Sequence, residues 1–227
     1  MSYLLGYIIA DGCISVDKTR KNKPYSLNIT SKDKKHLYKL RSLLGSSHKI
    51  SNKSGSTGGA FQIQIRNQTI ADDLIKLGVF PRKTYNLDPV KVPEKYFSDF
   101  VRGFFDGDGT VYLYRVNDTP QIKSGFVCAS RPFLEDINSR LCKILKIPIK
   151  NLHIAKAREK RVVQYSVDFY VEDSEKLGAL IYAGCADPRL YLNRKKLIFD
   201  KWQQIKRRKF IKKNYPSKIG WHLNPNL

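Results

Sequence analysis

The chain carries one phrase twice, LLGYIIADG at residues 4–12 and VRGFFDGDG at residues 101–109. Each copy runs through apolar residues to a small one, Gly6 or Gly103, meets a second small residue four positions later, Ala10 or Gly107, and closes on Asp–Gly. Positions four apart share a helix face, and small residues there let a partner backbone come close. The pattern predicts two motif helices packed against each other, with Asp11 and Asp108 brought together at their ends.

The residues around each copy also repeat. Segments 13–17 and 25–31 alternate apolar and polar residues about the loop KTRKNKP, which predicts a β-hairpin. Residues 32–45 hold Leu37, Leu40 and Leu44 at helical spacing and stop at Gly45. A second hairpin is expected between residues 48 and 66 around SGSTGG, followed by a helix over 69–78. After a connector with two prolines at 88–93, the series recurs. A helix runs from Glu94 into the second motif, strands 110–116 and 124–130 flank a polar loop, and 132–146 is helical. Strands 153–157 and 164–171 and a helix over 174–182 complete it. SLNITSKDKKHLYKLRSLLG lies over GFVCASRPFLEDINSRLCKIL, and FQIQIRN over YSVDFYV. The expected fold class is α+β, with two pseudo-symmetric halves at 1–87 and 94–190 and a basic helix and tail at 191–227.

Charge bounds the partners. Lys and Arg number 42 against 20 Asp and Glu, a formal net charge of +22. Such an excess repels itself in a folded chain unless a polyanion relieves it, and nucleic acid or an anionic membrane can do so. Nucleic acid is favoured, because the sequence has no apolar span of roughly 20 residues. Cys13, Cys128, Cys142 and Cys185 are dispersed, as are His36, His48, His153 and His222, so no zinc site is expected. The cysteines read as buried thiols of a protein in a reducing, intracellular compartment, and Met1 leads into the motif with no basic secretory leader.

A carboxylate at a helix C-terminus faces the negative end of the dipole, at a cost of about 0.3–1 kcal/mol. Two such acids side by side call for a cation, and hard oxygen ligands suit Mg²⁺, which can orient water and stabilise a leaving oxygen in phosphodiester hydrolysis. The bland alternative is that each Asp–Gly is only a helix end whose glycine turns left-handed. The outward hairpin residues form polar rows: Ser15, Asp17, Ser26, Asn28, Thr30, Gln62, Gln64 and Arg66 in the first half. Tyr112, Tyr114, Gln121, Lys123, Gln164, Ser166, Asp168 and Tyr170 are their counterparts. Such side chains match base-edge donors and acceptors, and a two-stranded ribbon fits the major groove; a solvated sheet face would look similar. Basic loops holding Arg20, Lys156 and Arg158 are available for the phosphate backbone.

LLGYIIADG and VRGFFDGDG resemble the paired motifs of the LAGLIDADG homing endonucleases, in the single-chain form with two motifs. The resemblance covers about the first 200 residues. It implies αββαββα halves, each with an antiparallel β-sheet saddle on a long duplex. It further implies Mg²⁺-dependent cleavage across the minor groove leaving 3′ overhangs, with Mn²⁺ or Ca²⁺ able to substitute in binding. A monomer encoded in an intron or intein-like element is expected, acting on double-stranded DNA and touching no membrane. An RNA maturase that binds intron RNA, or an inactive DNA-binding regulator, are the alternatives on the same fold. The motif's last acid falls on Asp11 and Asp108, the expected metal ligands and catalytic residues. Its earlier acid is Asp106 in the second copy but Ile9 in the first, which is expected to alter packing at the helix end. Basic residues late in each half, in VFPRKT and YLNRKK, suggest Lys83 and Lys195 as catalytic lysines, with Lys196 the alternate. Where several relatives carry Gln, this chain has Ser31 and Ser130.

Overall fold

The computed structural model describes residues 1–16, 25–53, 59–81, 87–155 and 163–214. In the first half, α1 (Ser2–Asp11) runs into β1 (Gly12–Val16), β2 (Tyr25–Ser31), α2 (Lys34–Leu43), β3 (Ile50–Asn52), β4 (Phe61–Ile65) and α3 (Gln68–Lys76). A 3-10 turn (Glu94–Tyr96) opens the second half and leads into α4 (Phe97–Asp108). Then come β5 (Gly109–Val116), β6 (Thr119–Cys128), α5 (Arg131–Leu145), β7 (His153–Ala155), β8 (Gln164–Tyr170) and α6 (Val171–Tyr182). Another 3-10 turn (Pro188–Leu190) precedes α7 (Asn193–Asn214). Among the described residues the halves share one topology, antiparallel sheets ordered β1-β2-β4-β3 and β5-β6-β8-β7.

Local chemistry places these elements. Asp33, Asn67 and Ser130 cap α2, α3 and α5 by accepting from the backbone N–H three residues on, which satisfies one of the donors a helix start leaves open. Gly45 and Gly78 stop α2 and α3 with positive φ of 58° and 89°. One hairpin differs from expectation. The polar loop expected between 116 and 124 is a two-residue turn at Asn117 and Asp118, with φ of 45° and 59°, and β6 begins at Thr119. Asx residues tolerate the left-handed region such a turn requires. Pro120 makes the segment look like a loop, but it lies beyond the stretch of β6 that pairs with β8, where its missing N–H costs little.

The motif helices form the joint. Tyr3, Leu4, Tyr7, Ile8 and Ile9 of α1 and Phe97, Phe100, Val101, Phe104 and Phe105 of α4 are all buried in one core that continues into both halves. An added Cβ at Gly6 would lie 2.0 Å from the Phe100 carbonyl oxygen and 2.8 Å from the Phe104 nitrogen. At Gly103 it would lie 2.0 Å from the Tyr3 oxygen and 2.8 Å from the Tyr7 nitrogen. Each glycine thus rests on an i to i+4 peptide hydrogen bond of the other helix, with the pseudo-two-fold relation visible in the matching distances.

Polar groups tie the same joint. His36 of α2 is 1% exposed, with Nε2 3.0 Å from the Tyr3 hydroxyl, which in turn donates to Asp106 Oδ2 at 2.8 Å. Burial above all, then nearby Lys39, lowers the His36 pKa to about 4, so the ring is neutral in the fold. Its folded pKa lies below the unfolded value near 6.5, so its stabilising contribution is complete above that pH and is lost as pH falls toward 4. The loss reaches about 3 kcal/mol. On going from neutral pH to about 4.5, the parent should therefore lose more Tm than a His36→Gln protein. Parallel melting curves for the two would refute this.

Candidate functional site

Asp11 and Asp108 are the last residues of α1 and α4, and both are half-buried. The glycines after them are not left-handed: Gly12 has φ −94° and Gly109 φ −73°, both extended. That removes the helix-stop explanation of the repeated Asp–Gly. A Cβ at Gly12 would instead meet the Ile8 carbonyl oxygen at 2.6 Å, and one at Gly109 the Phe105 oxygen at 2.5 Å. The glycines let the chain turn straight from helix to strand, which leaves each carboxylate where the helix ends and the polar sheet face begins.

The two helix ends that carry the acids converge. A Cβ at Gly107, the residue before Asp108, would lie 3.6 Å from the carboxyl carbon of Asp11 and 2.2 Å from the Ala10 Cβ. The buried Tyr7 hydroxyl hydrogen-bonds the Asp11 side chain. Among the described residues no three His, Cys, Asp or Glu side chains gather into a metal cluster. Two hard carboxylates beside backbone carbonyls fit a hard divalent cation whose shell is completed by water and phosphate oxygens, and offer nothing soft.

Lys195 takes a place that sequence spacing alone does not reveal. Its side chain, 3% exposed, turns onto the C-terminus of α4, where Nζ donates to the carbonyl oxygens of Phe105 (2.5 Å), Asp106 (2.9 Å), Gly107 (3.3 Å) and Gly109 (2.5 Å). In this structure the Nζ protons meet the carbonyls of the helix end rather than open solvent. Desolvation lowers its pKa to about 8 against the opposing pull of Asp106, and more weakly of Asp11 and Asp108. Lys196, the alternate, pairs with Asp200 on its own helix at 2.8 Å. Lys83 lies outside the described residues.

Asp106 is also buried, 1% exposed. It accepts from the Tyr182 hydroxyl at 2.7 Å, and from the Tyr3 hydroxyl and the Leu192 N–H at 2.8 Å each. Burial raises its pKa, and these three donors and the Lys195 charge pull it back. Ser31 Oγ accepts from the Asp33 N–H and its hydroxyl also bonds Tyr7, while Ser130 Oγ donates to the Leu87 carbonyl and caps α5.

The β registers place the expected polar residues on shared faces. Ser15 pairs with Ser26, Asn28 with Gln64, and Thr30 with Gln62, with Arg66 just past the end of β4. The Asn28 amide donates to Ser15 Oγ (2.7 Å), Ser15 and Ser26 hydroxyls share a hydrogen bond (2.7 Å), and the Gln64 amide reaches Ser26 (3.2 Å). This network leaves Ser26 buried at 5% exposure, although it lies on the polar face. In the second sheet Tyr112 pairs with Lys123, Tyr114 with Gln121, and Lys123 with Tyr170; Gln164, Ser166 and Asp168 share one face of β8. Lys123 Nζ binds Asp168 at 2.8 Å and lies over the Tyr170 ring. Asp17, Arg20, Lys156 and Arg158 fall outside the described residues.

Cys13 corrects another expectation. It is exposed, whereas Cys142 is buried and Cys128 and Cys185 lie between. Its partner across the ladder is Asn28, so it shares the polar face with Ser15, and counting back by two from Ser15 would have found it. Tyr7, Tyr3 and Tyr182 carry no such signal, since an aromatic in a buried helix reads as core whether or not its hydroxyl has a partner.

The LAGLIDADG-like domain family matches residues 1–69. No curated protein matches the sequence. Among solved structures, the LAGLIDADG homing endonuclease I-GzeII in complex with its DNA target is similar over 94% of this chain and 92% of its own, at 11% identity and TM-score 0.60. The LAGLIDADG meganuclease I-AabMI bound to uncleaved DNA is similar over 92% and 91%, at 14% identity and TM-score 0.58. I-DmoI in complex with DNA and Mn is similar over 81% and 96%, at 18% identity and TM-score 0.53. Residues 1–69 match the LAGLIDADG-like domain, and the chain as a whole has a fold similar to that of LAGLIDADG homing endonucleases of known structure.

Proposed function

We propose that this chain is a site-specific, divalent-metal-dependent endonuclease that cuts both strands of a long DNA target as a monomer, across the minor groove with 3′ overhangs. The observation that carries the reading is the convergence of the helix ends that carry Asp11 and Asp108, each helix opening directly onto a polar sheet face. The two faces supply Asn28, Gln62, Gln64, Gln121 and Lys123 for base edges, and the net charge of +22 supplies attraction to phosphate. The similar structures support DNA as partner, since I-GzeII and I-AabMI hold DNA, and the manganese in the I-DmoI complex supports a divalent ion.

In the reaction, Asp11 and Asp108 would hold the ion, preferably Mg²⁺, which when bound would activate water and stabilise the leaving 3′ oxygen. The protein's own part is to hold the acids still and limit their charge. Tyr7 fixes Asp11 by its hydroxyl. The Lys195 ammonium offsets the negative end of α4 beside Asp108. Lys83 is proposed as the basic catalytic residue of the first half on its position in VFPRKT alone.

Incubating the purified chain and Mg²⁺ with a randomised duplex library and sequencing the ends tests this reading. A defined site cut on both strands is expected; RNA binding or intron splicing without DNA cleavage would replace it with the maturase. Affinity for the selected duplex should fall by about three orders of magnitude between roughly 50 and 200 mM salt, given some six or more neutralised phosphates. A flat response would remove the polyanion argument.

A further inference from the structure

The repeat places Ile9 and Asp106 at equivalent positions, and both are buried, at 3% and 1% exposure. An isoleucine there needs only apolar neighbours. A carboxylate in the last turn of a helix, out of water and two residues from another acid, is unfavourable unless donors surround it. Its three donors come from three places: Tyr3 on the first motif helix, Tyr182 at the end of α6, and the Leu192 N–H just before α7. The Leu192 carbonyl then accepts from the Lys195 and Lys196 N–H groups at 3.0 and 3.2 Å, so this residue starts α7. Within that first turn Lys195 reaches back to the α4 carbonyls, that of Asp106 included. The contacts close a ring, from α4 through the Asp106 side chain to Leu192 and back through Lys195. Neighbouring groups hold the same stretch: Arg102 Nε donates to the Leu190 carbonyl at 2.6 Å and Lys39 Nζ to that of Tyr191 at 3.2 Å.

We infer that Asp106 is a positioning residue which seats Lys195 on the end of α4, so that the second half's centre depends on a strap the first half's Ile9 does not hold. The inference rests on the endonuclease reading for its kinetic consequence and on the contact ring for its structural one. It predicts that the two strands respond differently to loss of the same carboxylate.

The test uses Asp106→Asn in the full chain, with supercoiled plasmid carrying the library-selected site and single-turnover measurement of each strand. One strand should be cut about tenfold more slowly or worse, as for loss of a group orienting a metal-site residue, so that nicked circles accumulate. The other strand and the dissociation constant should stay within about threefold, a rate-against-binding split that general loosening would not produce. Amide exchange of residues 190–196 in the free protein is the second readout, and it should quicken. Equal slowing of both strands with binding intact, or unchanged exchange, would overturn the inference. Tyr182→Phe, which removes one donor and keeps the packing, gives the same pattern in weaker form and serves if Asp106→Asn does not fold. A parent protein that cuts no duplex would defeat the endonuclease reading, and the exchange measurement alone would then decide whether Asp106 anchors the strap.

Discussion

Asparagine in place of either Asp11 or Asp108 is expected to lower cleavage about 10³-fold or more, a loss of roughly 4 kcal/mol in transition-state stabilisation, with DNA binding retained. The substitution keeps the shape of the side chain and removes the charge that a divalent ion requires. Both acids sit at helix C-termini, where a negative charge is locally unfavourable, so the neutral variants should fold at least as well as the parent. Removing one negative charge from a surface facing a polyanion should, if anything, tighten binding. Retained binding with lost cleavage separates a chemical role from a structural one. Cleavage at the parent rate by Asp108→Asn would sink the assignment of the centre.

The second large effect concerns packing. Gly6→Ala and Gly103→Ala each put a methyl group 2.0 Å from a carbonyl oxygen of the other motif helix. Neither neighbour is a flexible side-chain tip that could swing aside; both are backbone inside a helix. The helices must separate, which costs about 3 kcal/mol or more and lowers Tm by about 6–12 °C in a chain of this size. Because the same crossing sets how closely Asp11 approaches α4, whatever Gly6→Ala protein folds should also cleave slowly. A melting temperature within about 2 °C of the parent would contradict the close approach.

Much of this was readable in the residues, for identifiable reasons. The small residues at 6, 10, 103 and 107 announce a helix crossing because only a close approach selects against side chains at that spacing. The polar rows follow from the two-residue period of a strand, and the β registers place their described members on common faces. What failed was what depends on distant partners or on backbone detail. The turn at Asn117–Asp118 was hidden by Pro120, which signals a loop unless one knows that β8 stops short of it. Lys195 looked like one more cation in a basic helix, and nothing in YLNRKK says that it bends onto carbonyls some ninety residues away. Asp106 was visible as a departure from the first copy. Its donors were not, because Tyr3, Tyr182 and Leu192 are scattered in sequence and meet only in the fold.

The stretch that Arg102, Lys39 and Asp106 hold follows all the described strands in the chain. Synthesis runs from the N-terminus, so both aspartates, both sheets and the crossing of the motif helices leave the ribosome before residues 190–195 can dock. Until then a nascent chain has its motif helices and both sheets but no Lys195 ammonium on the end of α4. Docking of the strap is therefore a late step of synthesis, reached only after both sheets and the crossing of the motif helices have emerged.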